Sequence, residues 1–174
     1  MNMRLASLII PCLFFYSCEE PVKVEQDRGV TKQEMIDLNR KSVRMESDQI
    51  DNYIKRRNWD MEETGSGLRY MVYEKSNDQS VKPTENQLVT VSYTVSLIDG
   101  KEIYKSDPEK RAKFVVGHDD VESGLQEGIR FLSPGDKAIF IIPSHLAHGY
   151  TGDFDKIPHS STVIFNIQLH EIQE

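Results

Sequence analysis

Cysteine is scarce in this chain of 174 residues, occurring only at Cys12 and Cys18. Both lie near the start, so no internal disulfide can staple distant parts of a fold, and stability must come from a hydrophobic core. Basic charge is in deficit as well, with 21 lysines and arginines against 28 acidic residues and no basic cluster interleaved with aromatics. Nothing here offers a face to a phosphate backbone, which excludes nucleic acid as a main partner. The longest apolar run, LASLIIPCLFFY, is too short to span a bilayer comfortably and contains Pro11. Metal-ligand patterns are lacking too. His145 and His148 stand three apart, but no Cys, Asp or Glu sits at an offset that completes a site, so both read as loop residues.

What is present begins with a targeting segment over residues 1–17. Arg4 and the α-amine make a positive start, the apolar run follows, and Ser17 is the small residue before Cys18. The Ser17-Cys18 junction resembles a bacterial lipoprotein cleavage site, with Phe15 where a leucine is usual. The resemblance implies that Cys18 becomes the acylated first residue of a membrane-anchored chain, which gives a lone exported thiol a role. An uncleaved anchor and ordinary secretion are the alternatives. Residues 18–30 form a charged tether containing Pro21 and Gly29. In it, Glu19 and Glu20 are either solvated linker or a sorting signal like those of some bacterial lipoproteins.

Residues 31–59 form a helical preface. Thr31 and Glu34 make a capping box, no Gly or Pro follows before Trp59, and Lys55, Arg56 and Arg57 suit a helix C-terminus. The apolar stripe shifts face around Arg44 to Gln49, so two helices or one bent helix are expected. The seam is too interrupted for a sustained coiled coil, and the preface is expected to pack on its own domain and to add orientation or partners rather than core.

The domain proper covers residues 64–174. Leu68 to Glu74 alternates as a strand, and Lys75 to Asn86 is a surface loop. Gln87 to Ile98 reads as the longest strand, with Val89, Val91, Tyr93, Val95 and Leu97 on one face; Asp99-Gly100 turns it onto Lys101 to Tyr104. KFVVG is a short strand, and DDVESGLQEGIRFL puts Val121, Leu125, Ile129 and Leu132 on one face of a short helix. Lys137 to Ile142 and Thr162 to Ile172 are the closing strands. The fold class is α+β, a bent antiparallel sheet whose concave face is covered by one short helix.

Four ordered blocks now carry a resemblance: VSYTVSLIDGKEI, the stretch GHDDVESGLQEGI, then LSPGDKAIFIIPSHLAHGY, and KIPHSSTVIFNIQLHEI. Together they resemble the FKBP-type peptidyl-prolyl cis-trans isomerases. The run YIKRRNWDMEETGSGLRYMVYEK with its helical preface is similar to gliding-motility-associated FKBP lipoproteins of Bacteroidetes. The resemblance implies a cup built from Tyr93, Phe114, Val121, Leu125, Ile157 and Phe165, with the Glu122 N–H receiving a substrate carbonyl and Ile103 and Tyr104 at the edge. Leu125 replaces a frequent Trp, Tyr104 a frequent Asp, and His148 a Tyr that hydrogen-bonds substrate. His148 is expected to stand in as donor.

Such a cup needs no nucleophile, metal or cofactor. The implied function is a peptidyl-prolyl isomerase that assists exported or surface proteins from a lipid anchor in the cell envelope, facing the periplasm or the cell surface. Its partners would be proline-containing polypeptides and proteins of an envelope machinery. The alternative is a non-catalytic chaperone or assembly module that uses the same cup.

Overall fold

The computed structural model describes residues 29–77, 81–118 and 120–173. The targeting segment, Cys18 and most of the tether lie outside them. No helix among the described residues is long and apolar enough to cross a membrane.

The preface is a single helix, α1, over Lys32–Arg57. Its N-terminus is the capping box read from the sequence: Glu34 N–H donates to Thr31 Oγ1, and the Glu34 carboxylate accepts from Thr31 N–H at 2.7 Å. With no breaker inside it, the helix runs through the shift in stripe rather than splitting there. Asn58 ends it in the left-handed region at φ 52°.

The strands are β1 (Glu62–Glu63), β2 (Arg69–Glu74), β3 (Leu88–Leu97), β4 (Glu102–Lys105), β5 (Ala112–Val115), β6 (Lys137–Ile142) and β7 (Val163–Gln173). The longest is β7 rather than β3. All pairings are antiparallel, in the order β1-β2-β6-β7-β3-β4, with β5 also on β3. Strand β3 thus changes partner along one edge, from β5 over Leu88 to Val91 to β4 over Thr94 to Ser96. A bulge opposite Thr90 and Val91 breaks its register with β7, the kind of irregularity that bends a strand.

Strand alternation gives the sheet two different faces. Val91, Val95, Phe140, Val163, Phe165, Ile167 and Leu169 fill the inner one, against a second helix, α2, at Ser123–Gly128. This helix is shorter than the sequence expectation. Val121 precedes it and Ile129–Phe131 continue as a 3₁₀ turn, because Gly124 and Gly128 are poor helix formers and Pro134 follows closely.

Those glycines are there for closeness. A Cβ on Gly124 would lie 2.4 Å from Ile142 Cγ2, and one on Gly128 2.8 Å from Phe140 Cε2, so the helix rests directly on β6.

The preface packs on the outer face of its own domain, as expected, but it also contributes core there. The C-terminal half of α1 buries Ile50 and Tyr53 against Ile141 and Ile164, with Ile54, Trp59, Met61, Ile98 and Ile139 around them. Arg69, 4% exposed, points to the same helix and pairs with Asp51 and Glu63, each at 3.1 Å. Glu46 accepts from Ser144 N–H and Oγ and from Thr162 Oγ1. The preface therefore supplies core, not orientation alone. Its N-terminal half leaves Met35, Leu38 and Val43 exposed.

Candidate active site

A cavity of about 460 Å³ opens between the inner sheet face, α2 and the loop after β6. Val91, Tyr93 and Val95 reach it from β3, Ala112, Lys113 and Phe114 from β5, and Phe165 from β7. Tyr104 closes the β4 side, Val121, Glu122 and Leu125 the helix side, and His148 and Asp153 the loop side. Eight sequence candidates are thus gathered: Tyr93, Tyr104, Phe114, Val121, Glu122, Leu125, His148 and Phe165. Ile103 and Ile157 are buried in the core and do not line the cavity.

The floor is apolar and held firmly. Phe114 and Leu125 are each 4% exposed and Phe165 2%. The rings of Tyr93 and Phe165 tilt against each other with centroids 5.7 Å apart. Tyr93 sits where β3 changes partner, and Ser106 fills the break: its Oγ accepts Tyr93 N–H at 2.9 Å, and its own N–H donates to Tyr93 O at 2.9 Å.

The rim is polar, and its groups are already partnered. His148 Nε2 lies 3.0 Å from Glu122 Oε1, so the imidazole is aimed at a carboxylate rather than into the cup. Tyr104 donates its phenolic hydrogen to Asp153 Oδ2, and Lys156 Nζ lies 4.7 Å from the centre of the Tyr104 ring. Asp153 also accepts N–H bonds from Asp155 at 2.9 Å and Ile157 at 2.7 Å. Burial opposes its charge, but the bonds from Tyr104 and from the N–H groups of Asp155, Ile157 and Lys156 together outweigh that and hold its pKa down at about 2. The same carboxylate pushes the Tyr104 phenol well above its ordinary value.

Sequence reading missed Asp153. Only the acid-rich GDFD turn hinted at it, since its partner Tyr104 is 49 positions away. It did single out the Glu122 amide, at the N-terminus of α2, which makes no hydrogen bond among the described residues. The two histidines have separate partners: His145 Nε2 lies 3.0 Å from Ser66 O, and His148 Nε2 meets Glu122.

Comparison with known proteins places these residues in context. The sequence profile described as FKBP-type peptidyl-prolyl cis-trans isomerase matches residues 79–170. The chain is 34% identical over 109 residues to the probable FKBP-type peptidyl-prolyl cis-trans isomerase FkpA of Neisseria meningitidis, covering 63% of this chain and 39% of that protein. It is 37% identical over 97 residues to the peptidyl-prolyl cis-trans isomerase Fkbp12 of Drosophila melanogaster, covering 55% of this chain and 90% of that one. Against the FkpA proteins of Neisseria and of Buchnera aphidicola, the matched stretch spans 39% and 42% of their length. Among solved structures, the crystal structure of FkpA from Escherichia coli superposes with a TM-score of 0.64 at 27% identity, over 80% of this chain and 64% of that one.

Proposed function

The chain belongs to the FKBP-type peptidyl-prolyl cis-trans isomerase family, and from that premise we propose that it catalyses rotation about prolyl amide bonds in exported or surface polypeptides. The observation that carries this reading is the apolar cup of Tyr93, Phe114, Leu125 and Phe165 beside the Glu122 N–H, which has no hydrogen-bond partner among the described residues.

Rotation of a prolyl amide meets a barrier of about 20 kcal/mol because resonance must be broken, and no covalent bond is made or cut. A catalyst need only fit the twisted amide better than either planar form; each ~1.4 kcal/mol of that preference gives about tenfold in rate. In this reading the cup takes the prolyl ring and excludes water from the amide, while Glu122 N–H receives a substrate carbonyl. Val121 bounds the cup on the helix side, and Ile103 and Ile157 back the edge strand and the loop. His148 has a narrower role than a free donor. In the tautomer that donates from Nε2 to Glu122, its Nδ1 is an acceptor, so it donates to substrate only after leaving Glu122 or when doubly protonated.

We further propose that Cys18 carries lipid, holding the domain in the cell envelope where clients emerge and envelope machinery is within reach. The motif at Arg4, the apolar run and Ser17-Cys18 supports this. Cys18→Ser is expected to release the protein from the membrane fraction of its host; retention equal to wild type refutes the anchor.

A protease-coupled assay with a short prolyl peptide tests the activity. Acceleration is expected from the chain and a sharp loss from Phe165→Leu, a substitution chosen because it keeps most of the buried volume. The prior engagement of Tyr104 and His148 by carboxylates favours a second reading, a holding module without catalysis. Suppression of client aggregation with no acceleration of the peptide would select it.

A further inference from the structure

Helix α1 covers only part of the outer sheet face. Beyond Ile139, Ile141 and Ile164, the same face turns polar and stays open, forming a groove of about 460 Å³. Register defines its floor. Lys137 of β6 stands opposite Gln168 of β7, which stands opposite Ser92 of β3; in the next row Asn166 of β7 stands opposite Thr94, which stands opposite Lys105 of β4. Arg111 borders it from the segment leading into β5.

Charge here runs against the composition. The chain carries a formal net charge of −7, yet the groove lining holds Lys105, Lys137 and Arg111 and, among the described residues, no carboxylate. Neither Lys105 nor Arg111 makes an ion pair among the described residues. Lys137 pairs at 2.9 Å with Glu74, whose side chain is 57% exposed; such surface pairs are weak and exchange partners readily. Asp107, Glu109 and Glu171 stand on flanking segments without lining the groove, and Lys110 neighbours Arg111. His170 is tied to Ser92 Oγ at 2.8 Å, with its pKa lowered by burial and by Arg111, so it adds little charge.

We propose that this uncovered half of the outer face is a second binding site, which takes an acidic polypeptide segment in extended conformation. The prolyl cavity opens mainly on the other face of β3, and Tyr93 borders both.

Spacing favours an extended chain over a small anion. Lys137 and Lys105 are separated by three strand intervals and one residue pair along the strands, roughly 16 Å at standard sheet geometry. Carboxylates four residues apart on one side of an extended segment are about 14 Å apart, within reach of both flexible ammonium groups, whereas a lone phosphate meets one end. Between the cations the floor suits peptide groups. Asn166 Oδ1 accepts from Tyr73 Oη at 2.8 Å, which leaves its amide hydrogens to donate, and Thr94 and Gln168 flank it.

The test uses the full chain and a fluorescein-labelled nonapeptide of glycine and serine with glutamates at its third and seventh positions. Fluorescence anisotropy at low salt is expected to show binding at least tenfold tighter than that of the same peptide with glutamines, weakening as salt is raised. Lys105→Glu combined with Lys137→Glu is expected to lower the affinity at least tenfold while prolyl isomerisation of a short peptide is unchanged. The milder pair Lys105→Gln and Lys137→Gln repeats the measurement if the reversal disturbs folding. In NMR spectra the side-chain amide signals of Asn166 and Gln168 should move on peptide addition. The proposal is overturned if the glutamine peptide binds equally well, if both charge variants bind as wild type, if the shifts fall elsewhere, or if inorganic phosphate displaces the peptide beyond its ionic-strength effect.

Discussion

Tyr104 and Asp153 join the edge strand β4 to the long loop before β7, phenol to carboxylate, across the mouth of the cavity. The phenol comes from the strand and the acid from the loop, at a position where the family resemblance implies an acid on the strand. The pair thus ties two segments that lie 49 positions apart in the sequence.

Substitutions at this pair should therefore be coupled. Tyr104→Phe and Asp153→Asn are each expected to lower the denaturation midpoint and the isomerase rate, and the double variant to lose less than the sum of the two. Strict additivity in both measurements would show that the pair does not work as a unit.

Acid should open the same latch in a defined window. Asp153 titrates at about 2 in the folded chain against an ordinary carboxylate value of about 3.9, so its contribution to stability is complete above pH ~4 and fades as pH falls towards ~2. The gap in unfolding midpoint between wild type and Asp153→Asn is expected to be constant from pH 5 to 7 and to close across that lower window. A gap that persists unchanged at pH 2 refutes the assignment.

The helix on the outer face yields a stability prediction that separates core from catalysis. Ile50 is fully buried, and Ile50→Ala should cost about 2 to 5 kcal/mol by denaturant unfolding. Its effect on the rate of folded protein should be less than about twofold, because the residue lies across the sheet from the cavity. Removing residues 1–58 should cost more, since it exposes Ile141 and Ile164 and takes Asp51 from Arg69. A shortened chain that unfolds as cooperatively and as late as the whole one would contradict this.

What could be read from the sequence and what could not divide along physical lines. Alternation in β3 and β7 was legible because one face of each is buried, and Thr31 with Glu34 announced the helix start by a local hydrogen-bond pattern. The apolar residues Ile50 and Tyr53 were visible as part of a stripe, but which surface they cover depends on Ile141 and Ile164, about a hundred positions away. Most of the cup was legible through ordered motifs. Its polar rim was not, because the meeting of Tyr104 with Asp153 and of Glu122 with His148 is set by how loops return over the sheet. Ile103 and Ile157 belong to the same buried cluster as Phe114, Leu125 and Phe165 but do not line the cavity.

The close seat of α2 predicts an asymmetric response. Gly128→Ala places a methyl group against the Phe140 ring and is expected to destabilise the fold by about 1 to 3 kcal/mol. Phe140→Leu should relieve part of that loss by withdrawing the ring atoms that the new methyl meets. If the double variant is no more stable than the additive expectation, contact with the ring is not the cause.

The two glycines also set the depth of the cup from the side of the helix that rests on β6. Leu125 and Glu122 ride on the same short segment that Gly124 and Gly128 let down onto β6, so a single methyl on the underside lifts floor and hydrogen-bond donor together. Under the proposed function, the fit of the cup to a prolyl segment is in this way set from behind, by two glycines that do not themselves line the cavity.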